Sequence, residues 1–239
     1  MSVYIGTSGW TYDHWVDVLY PRGATSLERL DAYARKFWTV EVNNTFYRWP
    51  KDEVFSTWHG RLPGGFRVSA KASRGLTQFR KLNDPEPWLE RMESGLVRLE
   101  EKRGVLLCLL PPHFGIDLDR LDRFLGVVPS QRVAVEFRHP QWNVPETFDV
   151  LERHNTAYCV TSGAHLPCVL RATADFVFVR LHRPDHDHLY AGSYSEADLH
   201  WWADRIADWG DKDVFAYFNN DGHGHAVRNA LRLRELTGC

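Results

Sequence analysis

Residues 176–182 read FVFVRLH, a β-branched and aromatic run whose character changes at its end. In an extended chain alternate side chains share a face, so Arg180 and His182 lie together while Val179 and Leu181 lie opposite. A run apolar on both faces reads as a strand of a parallel sheet, covered on two sides. The polar end on one face is the feature to follow outward. It recurs in Thr39–Asn43, where Glu41 and Asn43 oppose Val40 and Val42. It recurs again after Arg132, where Glu136 and Arg138 oppose Val135 and Phe137. Phe66–Lys71 closes on a lysine, and the run from Asp213 closes with Tyr217 and Asn219.

Three further strands read from composition: Val3–Ser8, Gly104–Leu110 and Ala157–Val160. Helical patterns fill most of the intervals. Thr25 with Glu28 forms a capping box ahead of a stripe of Leu27, Leu30, Ala34 and Phe37. Helices are also expected at Glu53–Leu62, after Asp84-Pro85, at Asp117–Leu125, at Pro145–His154, from Ser195 to about Trp209, and at Ala226–Leu236. Ser162–Ala174 has little helical periodicity, so the sixth crossover is expected to be irregular. Eight strands alternating with helices fit a closed barrel or an open doubly wound sheet. No Gly-x-Gly-x-x-Gly follows the first strand, which weakens the dinucleotide-binding form of the open sheet. The 239 residues match the roughly 250 typical of a barrel, and no repeat or linker divides them. The expectation is one (β/α)8-type TIM-like barrel forming a single domain over residues 1–239.

Composition excludes some functions. Lys+Arg 29 against Asp+Glu 31 leaves a net charge of −2, so electrostatic coating of nucleic acid finds no support in the net charge. Cys108 and Cys159 sit in apolar runs, and neither they nor Cys168 and Cys239 have the spacing of a zinc knuckle or redox pair. The amino terminus has no basic segment leading into an apolar stretch, and no apolar run approaches the roughly 20 residues of a membrane span. The expected setting is the cytoplasm, with no membrane partner.

Active sites of such barrels lie at the carboxyl ends of the strands. There Glu41 and Glu136 should meet Lys71, Arg138 and Arg180, a surplus of one positive charge with His182 neutral. Buried ions need partners, so the surplus points to a carboxylate or phosphate ligand. A bracing role is the alternative, with Glu136 and Arg138 pairing only to hold the strands in place. Trp10, Tyr47 and Trp142 each follow a polar strand end and are expected to line the pocket; Trp15, Phe46, Tyr217 and Phe218 are assigned to the core. The His- and Asp-rich loop His182–Tyr190, with His223 and His225, invites a metal, for which Glu41, Glu136 and His182 are first candidates. No zinc signature is present, no metal ligand set is assigned, and no cofactor is named by any motif. The helix start GHGHAVRN offers free amides to an anion, and Ser8 has no assigned base, which weighs against a serine hydrolase.

Several segments resemble one family, the YecE-like family, also called domain of unknown function number seventy-two. They are GTSGWTYDHW at Gly6–Trp15, VEVNNTFYRWP at Val40–Pro50, FRVSAKASRG at Phe66–Gly75, LLPP at Leu109–Pro112, VAVEFRHPQW at Val133–Trp142, FVFVRLH at Phe176–His182 and YFNNDGHGHAVRNALRL at Tyr217–Leu233. The resemblance runs nearly end to end. It implies a (β/α)-barrel similar in architecture to sugar isomerases and metal-dependent endonuclease barrels, and it implies no established reaction. The chain departs from the family pattern at Leu109, where Gln is common, and at Thr77-Gln78, where Thr-His is common.

The leading functional expectation is an enzyme acting on a small or locally exposed anionic substrate, of phosphoester or sugar type. Glu41, Glu136 and His182 are its candidate catalytic groups. Trp10, Asn43, Tyr47, Lys71, Arg138, Trp142, Arg180 and Asn219 are candidates for holding the ligand. A non-catalytic binding module using the same pocket is the first alternative. Nucleic-acid repair, by analogy of fold alone, is the second.

Overall fold

The computed structural model describes residues 1–129, 131–163, 168–182 and 192–239. Eight parallel strands run in the order β1-β8-β7-β6-β5-β4-β3-β2. They are β1 Val3–Thr7, β2 Thr39–Val42, β3 Arg67–Lys71, β4 Arg103–Leu109, β5 Val133–Glu136, β6 Ala157–Ser162, β7 Phe176–Leu181 and β8 Asp213–Phe218. The helices between them are α1 Ser26–Ala34, α2 Asn44–Tyr47, α3 Asp52–Arg61, α4 Glu86–Leu96, α5 Leu118–Val127, α6 Pro145–Arg153, α7 Glu196–Asp208 and α8 His225–Thr237. The expected barrel is thus what the chain forms. No helix among the described residues is long and apolar enough to cross a membrane.

The barrel closes where β1 meets β2, and side chains help to make that seam. Gly9 N–H donates to the Glu41 carbonyl at 2.8 Å. Below it Thr7 N–H donates to the Tyr33 hydroxyl oxygen, and that hydroxyl donates to the Thr39 carbonyl, each at 2.9 Å. A phenol thus replaces a direct main-chain bond. Gly6 makes the approach feasible, because a Cβ there would lie 2.3 Å from the Thr39 carbonyl oxygen.

Strand alternation sorts the core into two parts. Val105, Leu107, Cys159, Phe176, Phe178, Phe215 and Tyr217 fill the barrel interior. Val40, Val42, Val135, Phe137, Val179 and Leu181 belong to the larger cluster shared with the helices, as their placement opposite the polar strand ends requires. The capping box at Thr25 and Glu28 forms as read. Leu27 departs from expectation: it is exposed, because α1 turns that position away from the sheet. The sixth crossover shows no helix among its described residues. Its return segment is tied down by Thr173, whose hydroxyl accepts from Tyr158 N–H at 2.8 Å and donates to the Thr156 carbonyl at 2.6 Å.

Leu109 lies two residues beyond Leu107 on the interior face and is only half-buried, so its side chain belongs to the mouth. Leu109→Gln is therefore expected to leave the urea midpoint almost unchanged, since water can solvate the amide. A loss of about 1–3 kcal/mol, the cost of an unsatisfied buried amide, would contradict this placement.

Candidate functional site

Above the interior cluster, four strands bring charge into one layer. Arg180, wholly buried near the end of β7, stands at its centre. Its Nε and Nη2 donate to the two oxygens of Glu41 at 2.9 and 3.0 Å, and its Nη1 donates to Glu136 Oε2 at 2.5 Å. Only a planar fork can bridge two carboxylates from separate strands in this way. Ser8 Oγ donates to Glu41 Oε1 at 2.8 Å, and Lys71 Nζ lies 3.5 Å from the same oxygen. Arg138 pairs with Glu136 Oε1, and His182 Nε2 lies 3.4 Å from that oxygen. Asn219 Nδ2 and His182 Nδ1 are 3.2 Å apart. Tyr217 forms the floor, its hydroxyl within 2.6 Å of Thr39 Oγ1 and 2.8 Å of Ser69 Oγ.

The charges are unequally engaged. Arg180 is committed to its two carboxylates and is closed to solvent, whereas the side chains of Lys71 and Arg138 remain 11% and 16% exposed. Glu136 Oε1 is buried and takes its neighbours, Arg138 and His182, from within the layer.

Proton affinities follow from this packing. Burial alone would raise both carboxyls. Arg180, then Lys71 and the Ser8 hydroxyl, reverse this at Glu41, while Arg180 and Arg138 hold Glu136 well below the usual range. Both are ionised at neutral pH, so neither can serve as a general acid there. Burial and the nearby Arg180 push His182 down to about 4, and it is neutral. The same two causes, opposed by Glu41, push Lys71 down to about 8. Lys71 is therefore the member of this layer that titrates nearest to neutrality.

The structure brings Glu41, Lys71, Glu136, Arg138, Arg180, His182 and Asn219 together. Trp10, Asn43 and Tyr47 instead line an adjoining cleft of about 600 Å³, with Tyr12 and Trp58. Contact with the mouth runs through Tyr12, whose hydroxyl donates to the Ser8 carbonyl at 2.6 Å and lies 3.4 Å from Asn43 Nδ2. Trp142 is a correction. It is fully buried, stacks on Phe137 and donates its indole N–H to the Phe114 carbonyl at 2.7 Å, so it fills the layer between sheet and helices. The turn after a polar strand end carries it outward, away from the pocket.

Ser8 and Tyr12 were not foreseen as parts of the site. Alternation along β1 puts Tyr4, Gly6 and Ser8 on one face, a signal the short GTSG turn obscures. Arg180 occupies the space between the two carboxylates, so a divalent ion held by Glu41, Glu136 and His182 would have to displace a guanidinium. The remainder of the His-rich loop, residues 183–190, lies outside the described residues. The helix start at GHGH sits near Asp221, which accepts from the Trp15 indole at 2.6 Å and pairs with His14 at 3.1 Å; an acid beside those amides weakens their claim on an anion. Gln78, at one of the departures from the family pattern, donates its amide to the Leu109 carbonyl and so returns a polar group to the mouth's edge.

The chain matches the family described as a protein of unknown function, DUF72, over residues 4–239. It is 27% identical to the UPF0759 protein YunF of Bacillus subtilis over 98% of this chain and 94% of that one. It is 32% identical to the UPF0759 protein YecE of Escherichia coli over 59% of this chain and 50% of that one. A crystal structure of a DUF72 family protein from Thermotoga maritima superposes with a TM-score of 0.89 at 25% identity, covering 100% of both chains. A xylose isomerase domain protein from Alicyclobacillus acidocaldarius shares the fold alone, with a TM-score of 0.54 at 14% identity over 99% of each chain.

Proposed function

The chain belongs to the DUF72 family, and from that premise and the charges at its barrel mouth we propose an enzyme that acts on a small, hydroxylated anion of phosphoester or sugar-acid type. The observation that carries this reading is the unequal engagement of the cations. Arg180 neutralises much of Glu41 and Glu136 from within, which leaves Lys71 and Arg138 at the surface of the layer to hold an anion. A substrate hydroxyl can donate to the side-chain oxygen of Asn219, which is half-buried beside His182. Such a pair of contacts suits a molecule carrying an anionic group and a hydroxyl a few bonds apart. Lys71 is the proton-transfer group of this scheme, because its affinity lies nearest to neutral pH. Glu41 and Arg180 act through it, fixing its position and charge.

The strong ionisation of both carboxylates favours a second reading, a binding module that holds the same ligand without transforming it. Both readings require the anion site. Calorimetric titration of inorganic phosphate and small hydroxy-carboxylates should show binding to the wild type and at least about ten-fold weaker binding to Lys71→Met, since a charge-assisted contact contributes roughly 1.5–3 kcal/mol. Equal affinity in the two proteins would reduce the layer to a brace for the strands. Turnover of a bound hydroxy-anion by the wild type separates the enzyme from the binding module.

A further inference from the structure

The rim beside β2 and β3 carries side chains that the mouth does not use. The two most exposed large apolar residues among those described are Phe79, at 72%, and Tyr47, at 67%. They do not stand apart. The Arg74 guanidinium carbon lies 5.5 Å from the Tyr47 ring centroid and 5.7 Å from that of Phe79. All three border a cleft of about 320 Å³ whose walls include Arg48, Arg91 and Trp88, with no acidic residue among them. Among the described residues none of Arg48, Arg74 and Arg91 has a carboxylate partner. The backbone places Phe79 deliberately: Gly75–Phe79 forms a π-turn in which Arg80 N–H donates to the Gly75 carbonyl at 3.0 Å. Such turns are uncommon and concentrate at functional sites. Gly75 is required there, because a Cβ would lie 2.1 Å from the Trp88 ring.

Exposed rings are unfavourable in water, and clustered arginines repel one another. A partner that is both polyanionic and rich in flat faces relieves both. In duplex nucleic acid the base faces are hidden in the stack, whereas a single strand presents them together with its phosphates. Arginine beside an aromatic ring also binds bases by stacking and cation–π attraction. The net charge of −2 limits this attraction to the rim, so it should be local and salt-sensitive.

We propose that the rim formed by Tyr47, Arg48, Arg74, Phe79 and Arg91 binds single-stranded nucleic acid, with bases on the two rings and phosphates on the three arginines. This does not depend on the proposed chemistry of the mouth, since the two sets share no residue. Anisotropy of a short fluorescent oligothymidine, titrated with the full chain at several salt concentrations, tests it. Three neutralised phosphates predict a log–log salt slope of about −2. Phe79→Ala should weaken binding by roughly five-fold or more, the loss of one base stack. Arg74→Ala should weaken it and bring the slope closer to zero by roughly 0.7. Arg153→Ala, which removes an exposed arginine of α6 that belongs to neither set, should leave the affinity unchanged. The proposal is overturned by absence of binding at low salt, by full affinity in Phe79→Ala, by loss of binding in Arg153→Ala, or by equal affinity for a duplex or for polyglutamate. Phe79 is exposed, so its variant is expected to fold, and circular dichroism checks that it does.

Discussion

Replacing Arg180 with methionine should destabilise the protein by about 3–5 kcal/mol or more, because removing one partner of a buried ionic group leaves the others uncompensated. Here the uncompensated groups are two carboxylates, Glu41 and Glu136, both with no solvent exposure. Methionine keeps much of the side-chain volume, so the loss reports charge more than cavity. The pH dependence distinguishes this cause from poor packing. In the wild type both carboxyls lie below their ordinary value of 4.5, so their contribution to stability is present above that value and is lost as pH falls through the folded-state values. In the variant the arginine is gone and burial dominates, which raises the same carboxyls above their unfolded values. Protonation then favours the variant's folded state, and its stability recovers on acidification from about pH 8 to about pH 5. The gap between wild type and variant in urea melts should narrow over that range. A gap that stays constant would assign the loss to packing, and one below about 1 kcal/mol would remove Arg180 from its central role.

That arginine also shows how far a sequence can be read. Its membership of the mouth follows from alternation, because Val179 and Leu181 are committed to the helices and Arg180 is left facing inward. What alternation cannot supply is distance across the barrel. Arg180 and Glu41 are 139 positions apart in the chain and meet in a bidentate contact, so the arginine expected to hold a ligand is consumed by the protein itself. Trp142 was misplaced for a related reason. The rule that residues just past a polar strand end line the pocket fails where the chain turns sharply, as it does after His139. The seam of the barrel was illegible in another way. Gly6 and Tyr33 look unremarkable in sequence, yet the absence of a Cβ at one and the hydroxyl of the other decide how β1 meets β2. Phe79 falls outside every periodicity, because it belongs to no core face, whereas Tyr47 was expected to line a pocket and does border the adjoining cleft. Their common contact with Arg74 is what joins the two.

Lys71 should make both stability and anion affinity change with pH around 8. Its folded-state value is pushed down from 10.5 to about 8 by burial and by Arg180. Between those two values the unfolded chain binds more protons than the folded one, so stability rises with pH across that window. A shift of that size corresponds to something on the order of 3 kcal/mol. Other groups titrate in the same range, so the quantity to measure is the difference between wild type and Lys71→Met. That difference should move in favour of the wild type from about pH 7 to about pH 10. Anion binding should show the opposite trend, because the ligand needs the protonated amine. Sulfate does not titrate in this interval and isolates the protein's contribution. Its affinity should fall above about pH 8, and binding there should draw a proton onto Lys71, since a bound anion raises the amine's proton affinity. Calorimetry at that pH in two buffers of different ionisation enthalpy reads the proton uptake directly. Wild type should take up a fraction of a proton and Lys71→Met none. Sulfate affinity that stays level across this range would show that the anion does not contact Lys71.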